Sequence, residues 1–231
     1  MSNVQQAFQG GKAFIGFLTA GDPNLDATAR YIKVMADNGA DLIEIGIPFS
    51  DPVAEGPVIQ AASGRALAGG ATTDRIFKMV ETVRPTVSIP LVFMTYMNPI
   101  YVYGTEKFFA RCAEVGISGV IVPDVPFEEK GDLTDVAAKH GITVISLIAP
   151  TSEDRIGMIA KEADGFVYLV SSLGVTGMRS KITTDIEALV KVIRRYTDIP
   201  VAIGFGISTP EQSKAMGDVS DGVIVGSAIV N

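Results

Sequence analysis

Several residue types that carry common enzyme chemistries are scarce in this chain. The single cysteine, Cys112, rules out an internal disulfide. It falls on the core side of the helical pattern FFARCAEVG, where a thiol is expected to be inert packing. The single histidine, His140, sits at a helix end in AKHGI, on the side away from the expected chemistry, and a capping or surface role is expected. A His–Ser triad, a His/Cys metal cluster and a histidine base therefore lack their residues, and no metal site is expected. No lysine lies inside a strand pattern, which argues against a Schiff-base aldolase. Walker-type and dinucleotide fingerprints are missing. There is no basic excess either. The formal net charge of −7 makes nucleic acid a poor partner, since binding it needs a basic face. An anionic ligand stays open, because backbone N–H groups at helix starts bind phosphate without any Lys or Arg.

No apolar run approaches the roughly 20 residues of a membrane helix. The opening MSNVQQAFQGGK lacks the apolar segment of a signal peptide, so a cytoplasmic protein is expected. No Pro/Ser-rich or charged linker divides the chain, and residues 1–231 read as one domain.

What is present is hydrophobic and periodic. Hydrophobic residues make up 47% of the chain, enough for one large core. Eight short apolar runs stand out: Ala13–Thr19, Asp41–Gly46, Pro90–Thr95, Gly119–Val122, Thr143–Ile148, Gly165–Val170, Pro200–Gly204 and Gly222–Val225. Between them lie helical patterns such as Leu25–Asn38, Thr105–Val115, Glu129–Lys139 and Thr184–Arg195. Strands alternating with helices indicate βαβ units and a parallel sheet. Alternate runs also rhyme. GADLIEIG, GISGVIVPD, ADGFVYLVS and SDGVIVGS open one way, and SIPLVFM, GITVISLIA and DIPVAIGFG another. Two strand types taking turns match a core layered from odd and even strands, so the fold expected is α/β, a single (β/α)₈ TIM barrel. Asp22 and Pro23 are expected to start the first helix. Gly39, Gly116 and Gly141 are expected to end helices.

Two connections are long. Ile47–Pro57 is stiffened by three prolines and reads as a rigid catalytic loop. Ser171–Lys181 has two glycines and no proline, and reads as a mobile lid. Both follow strands at the face where barrel enzymes place their chemistry. On that face Glu44 leads. Ile43 and Ile45 suit the helix layer, which turns Glu44 into the lumen. A carboxyl in apolar surroundings has a raised pKa, suited to exchanging protons near neutral pH. Glu55 is a second carboxylate on the same face. Asp51 and Asp124 read equally as caps or as groups lining the mouth. Gly204–Ser208, with Phe205 and Gly206, and Gly226–Ala228, with Ser227, lie where barrels commonly bind phosphate, and Gly177 of the lid can close over it. The residues alone leave three readings: a lyase working by proton transfer, another phosphate-binding isomerase or epimerase, and a non-catalytic barrel that activates a partner.

The segment IEIGIPFSDPVAEGPVIQ, residues 43–60, resembles the signature of the tryptophan synthase α subunit. So do FLTAGDP (17–23), YLVSSLGVTG (168–177), GFGIS (204–208) and GSAIV (226–230), in family order. The resemblance implies retro-aldol cleavage of indole-3-glycerol phosphate to indole and glyceraldehyde 3-phosphate. Glu44 would protonate the indole carbon that leaves and later help deprotonate the substrate hydroxyl. Glu55, where many members carry aspartate, would stabilise positive charge on the indole nitrogen. Tyr168 would stand near the substrate and Phe17 against the indole. Gly177, Gly206 and Ser227 would hold the phosphate, with Thr176, Phe205, Gly226 and Asp124 completing the substrate set. No cofactor is implied in this chain; pyridoxal phosphate belongs to a β-subunit partner in an α2β2 heterotetramer. Members continue beyond GSAIV into an eighth helix. Its apparent absence here leads one to expect an exposed last strand and a frayed turn after it.

Overall fold

A computed structural model describes residues 3–170, 186–204 and 206–231. The first strand, β1 (Ala13–Thr19), is followed by α1 (Leu25–Asp37), β2 (Leu42–Gly46), α2 (Pro57–Ala68) and α3 (Thr73–Val83). Next come β3 (Leu91–Met94), α4 (Met97–Tyr103), α5 (Thr105–Glu114), β4 (Gly119–Ile121) and α6 (Gly131–Lys139). The remainder is β5 (Thr143–Val144), β6 (Ser146–Ile148), α7 (Glu153–Lys161), β7 (Val167–Val170), α8 (Ile186–Arg194), β8 (Val201–Gly204), α9 (Pro210–Val219), β9 (Gly222–Val225) and α10 (Ser227–Val230).

All pairings are parallel, in the order β5-β4-β3-β2-β1-β9-β8-β7-β6. The two ends of this sheet, β5 and β6, are consecutive pieces of one segment, so the sheet curls into a nearly closed barrel. Eight strands were expected and nine are formed, because Thr143–Ile148 divides at Ile145. Its first half pairs with β4 and its second with β7. Strand stagger in a tilted barrel lets one segment serve two neighbours at different heights.

The core has two layers. Ile15, Phe17, Leu42, Val92, Met94 and Ile224 fill the lumen. Ile43, Ile45, Phe93 and Phe108 pack toward the helices. Leu42 and Ile43 thus fall in different layers, which is the strand alternation that turns Glu44 inward. A short 3-10 helix, Asn3–Phe8, closes the end of the barrel where the strands begin. Its Val4 is fully buried, and its Phe8 ring lies 5.5 Å from that of Phe166.

Two expectations are corrected. Helix α1 is capped by Asn24, whose side chain accepts the Ala27 N–H at 2.8 Å. Asp22 instead takes two nitrogens of Arg65 at 2.8 and 2.7 Å, a charge-assisted fork that a capping bond does not match. The last strand is not exposed. Val223, Ile224 and Val225 are all buried, because Phe14, Ile207 and Met216 cover the outer face of β9. The turn after it is formed as α10, with Val230 N–H bonded to the Gly226 carbonyl at 3.1 Å. Gly39, Gly116 and Gly141 do follow helix ends with positive φ of 98°, 75° and 69°.

Candidate active site

Glu44 is the third residue of β2, flanked in the sheet by Phe17 and Val92. It is 1% exposed, and neither carboxyl oxygen has a hydrogen-bond partner among the described residues. Burial raises its pKa to about 8, so the carboxyl is protonated at neutral pH. Tyr168 projects from β7 into the same lumen, and both burial and the neighbouring Glu44 push its phenol well above the usual range. Gly204 makes room for it: a Cβ there would lie 2.5 Å from the phenol oxygen. Phe17 has the same relation to Gly46, whose Cβ would lie 2.6 Å from the ring.

Glu55 reaches the cavity from the end of the proline-stiffened connection, just before α2. It is 5% exposed. Burial raises its pKa to about 7, against hydrogen bonds from Tyr96 and Ser63 that lower it. Its Oε2 has no partner among the described residues. Its backbone carbonyl accepts the Gln60 side-chain N–H at 2.7 Å, which fixes the loop to the first turn of α2.

These groups line one cavity. Glu44, Glu55 and Tyr168 supply its polar wall, Phe17, Ile59, Met94, Ile207 and Ile224 its apolar walls, and Gly206, Gly226 and Ser227 its glycine-rich side. Gly206 has φ 92°, a conformation that favours glycine and leaves its backbone open to a ligand. A larger cleft of about 670 Å³ runs between α6 and α7, against about 40 Å³ here. Size does not decide between them. The cations of the larger cleft, Lys130 and Arg155, are paired with Glu162 and Glu128, whereas the smaller cavity holds carboxyl oxygens that find no partner among the described residues.

The other expectations separate. Asp124 does not line this cavity; its carboxylate accepts the Met97 N–H at 3.0 and 3.1 Å and so fixes the start of α4. Asp51 is exposed and accepts the hydroxyl of its neighbour Ser50. Thr176, Gly177 and Phe205, with the expected lid Ser171–Lys181, lie outside the described residues. His140 ends α6, as its place in AKHGI suggested, and its ring lies 2.6 Å from Glu106. Cys112 is fully buried, and burial raises its thiol far from reactivity. Sequence reasoning missed Tyr96 and Ser63. Ser63 had a signal, a hydroxyl on the apolar stripe Ile59, Ala62, Ala66 of α2. Tyr96 in LVFMTYMNP looks like any core aromatic.

A parallel barrel with two protonatable carboxyls facing glycine-rich turns across its carboxyl-end mouth is that of an acid–base enzyme for a small phosphorylated substrate. Relatives narrow this class. The sequence profile described as "Tryptophan synthase alpha chain" matches residues 3–231. The tryptophan synthase alpha chain of Lacticaseibacillus casei is 48% identical over 231 residues, covering 100% of this chain and 87% of that one. That of Lactiplantibacillus plantarum is 51% identical over 232 residues, covering 100% and 88%. Among solved structures, Mycobacterium tuberculosis tryptophan synthase superposes with a TM-score of 0.91 at 33% identity, covering 99% of this chain and 90% of that chain. The alpha subunit from Campylobacter jejuni gives 0.87 at 35% identity, covering 96% and 89%.

The chain belongs to the tryptophan synthase alpha chain family. It is a lyase that cleaves indole-3-glycerol phosphate. The family's alpha chain carries no cofactor; pyridoxal phosphate belongs to the beta subunit with which it forms a heterotetramer.

Proposed function

We propose that Glu44 is the proton donor and Glu55 the charge-stabilising group of this cleavage, within one catalytic domain spanning residues 1–231. The observation that carries the reading is the set of buried oxygens without a partner among the described residues: Oε1 and Oε2 of Glu44 and Oε2 of Glu55, in a cavity otherwise largely apolar. Groups left unsatisfied at such cost are ready for a substrate that satisfies them.

The chemistry follows from the two environments. Protonated Glu44 gives its proton to the ring carbon that bears the glycerol phosphate chain. The ring nitrogen then takes positive charge, and ionised Glu55 accepts its N–H. Glu44, now a carboxylate, takes the proton of the hydroxyl on the adjacent side-chain carbon. Electrons from that O–H bond form the aldehyde C=O. The carbon–carbon bond breaks, and its electron pair returns to the ring to restore neutral indole. Protons balance, because Glu44 ends as it began. Tyr168 and Phe17 border the ring, and Gly206, Gly226 and Ser227 hold the phosphate through backbone N–H and hydroxyl donors. Thr176, Gly177 and Phe205 complete the substrate set in this reading. The location proposed is the cytoplasm, which the soluble family supports; no described helix is long and apolar enough to cross a membrane.

The test is indole release from indole-3-glycerol phosphate by wild type and by Glu44→Gln. Equal rates would remove Glu44 from the mechanism.

A further inference from the structure

Glu55 stands at the end of a loop, and a loop carboxyl needs something to aim it. Tyr96 is built to do so. It is 1% exposed, directly before α4 and two residues after β3. Its phenol oxygen accepts the backbone N–H of Ala54 at 3.3 Å, the residue preceding Glu55. A phenol has one hydrogen. With the oxygen engaged by Ala54, that hydrogen goes to the Glu55 carboxyl. Tyr96 therefore grips both the backbone and the side chain of one loop segment.

The grip is itself held. The Tyr96 ring lies 5.4 Å from that of Phe49, at the start of the same connection. The residue after Tyr96, Met97, has its N–H fixed by Asp124. Ser63, 2% exposed on α2, meets the Glu55 carboxyl from another element. Two hydroxyls thus engage the carboxyl while Oε2 stays without a partner among the described residues.

We propose that Tyr96, anchored by Asp124 and Phe49, is the positioning residue that aims the Glu55 carboxyl at the substrate. The inference rests on the lyase reading, and its test separates the two. Indole release is first measured for wild type; absence of turnover there would defeat the lyase reading itself. With wild type active, Tyr96→Phe keeps the ring and removes the grip. The expected result is a fall in kcat of about 10-fold to 100-fold, the size of one lost hydrogen bond to a charged group, with KM changed less than about twofold.

Two comparisons separate aiming from mere support of the fold. Tyr103→Phe, at the last residue of α4, removes a 2.7 Å bond to Asp74 and is expected to leave kcat unchanged. In a Glu55→Gln background, Tyr96→Phe is expected to cost less than about twofold, because what it aims is gone. If Tyr96→Phe does not fold, Asp124→Ala tests the same chain of contacts, with a smaller kcat loss that also vanishes in Glu55→Gln. Unchanged kcat in Tyr96→Phe, or an equal loss in both backgrounds, overturns the proposal.

Discussion

The two ends of this barrel use carboxylates in opposite ways. At the end where strands begin, Asp41 accepts the Phe14 N–H at 2.8 Å, Asp164 the Gly165 N–H at 2.7 Å, and Asp221 the Val201 N–H at 2.7 Å. Asp221 also pairs with Arg194. Beneath them Val4 fills the space beside Gly119 and Gly165. Every one of these acids has work in holding the chain together. At the end where strands finish, Glu44 and Glu55 are more deeply buried and less satisfied. The difference teaches that the fold is held at one end and left reactive at the other, so stability and activity should respond to different carboxylates.

The largest expected break in that contrast is Glu44→Gln. It should lower kcat about 10²- to 10⁴-fold, the usual range for a general acid–base group, as read by indole release. The same change should stabilise the fold at pH 8. Glu44 and Glu55 have folded pKa values raised to about 8 and about 7. The unfolded chain ionises them near 4.5, so the folded state holds more protons between these limits. Stability is therefore greatest, on their account, below pH 4.5 and falls as pH rises toward 8. The slope is about 1.4 kcal/mol per pH unit for each carboxyl while it differs between states. Urea midpoints at pH 5 and 8 check this: the fall should be smaller in Glu44→Gln than in wild type.

Asp221→Ala sharpens the comparison from the other end. It should cost about 1–3 kcal/mol of stability by orphaning the Val201 N–H, with kcat unchanged. The smallest effect is expected away from both ends. Lys214→Ala breaks an exposed pair with Asp218 on α9 and should change stability by less than about 0.5 kcal/mol in a thermal melt.

Much of this division could be read in the sequence. Ile43-Glu44-Ile45 placed a charge on the lumen side because strand alternation is a local rule, and Leu42 and Ile43 do fall in separate core layers. The glycines after two late strands were legible as well, and Gly206 and Gly226 do line the same cavity as Glu44. What was not legible depends on partners distant in the chain. Asp22 has the right chemistry for a helix cap, and only Arg65, brought in by α2, takes it away. Asp124 lies next to the mouth in sequence, yet its oxygens are spent on Met97. Tyr96 became meaningful only when the Glu55 loop folded over it. The division of Thr143–Ile148 follows from barrel stagger, which no single segment encodes.

One ladder has a consequence for how the molecule is made. Every other pairing joins segments consecutive in the chain, but β1 pairs with β9, setting Ala13 against Gly222. Bringing such distant segments together carries a large loop-closure entropy and is intrinsically slow. Gly226 and Ser227 follow β9 directly, beside Phe17 of β1. The cavity wall that Gly226 and Ser227 supply is therefore completed only when β9 pairs with β1, so the pocket depends on a contact between segments that are synthesised far apart in time.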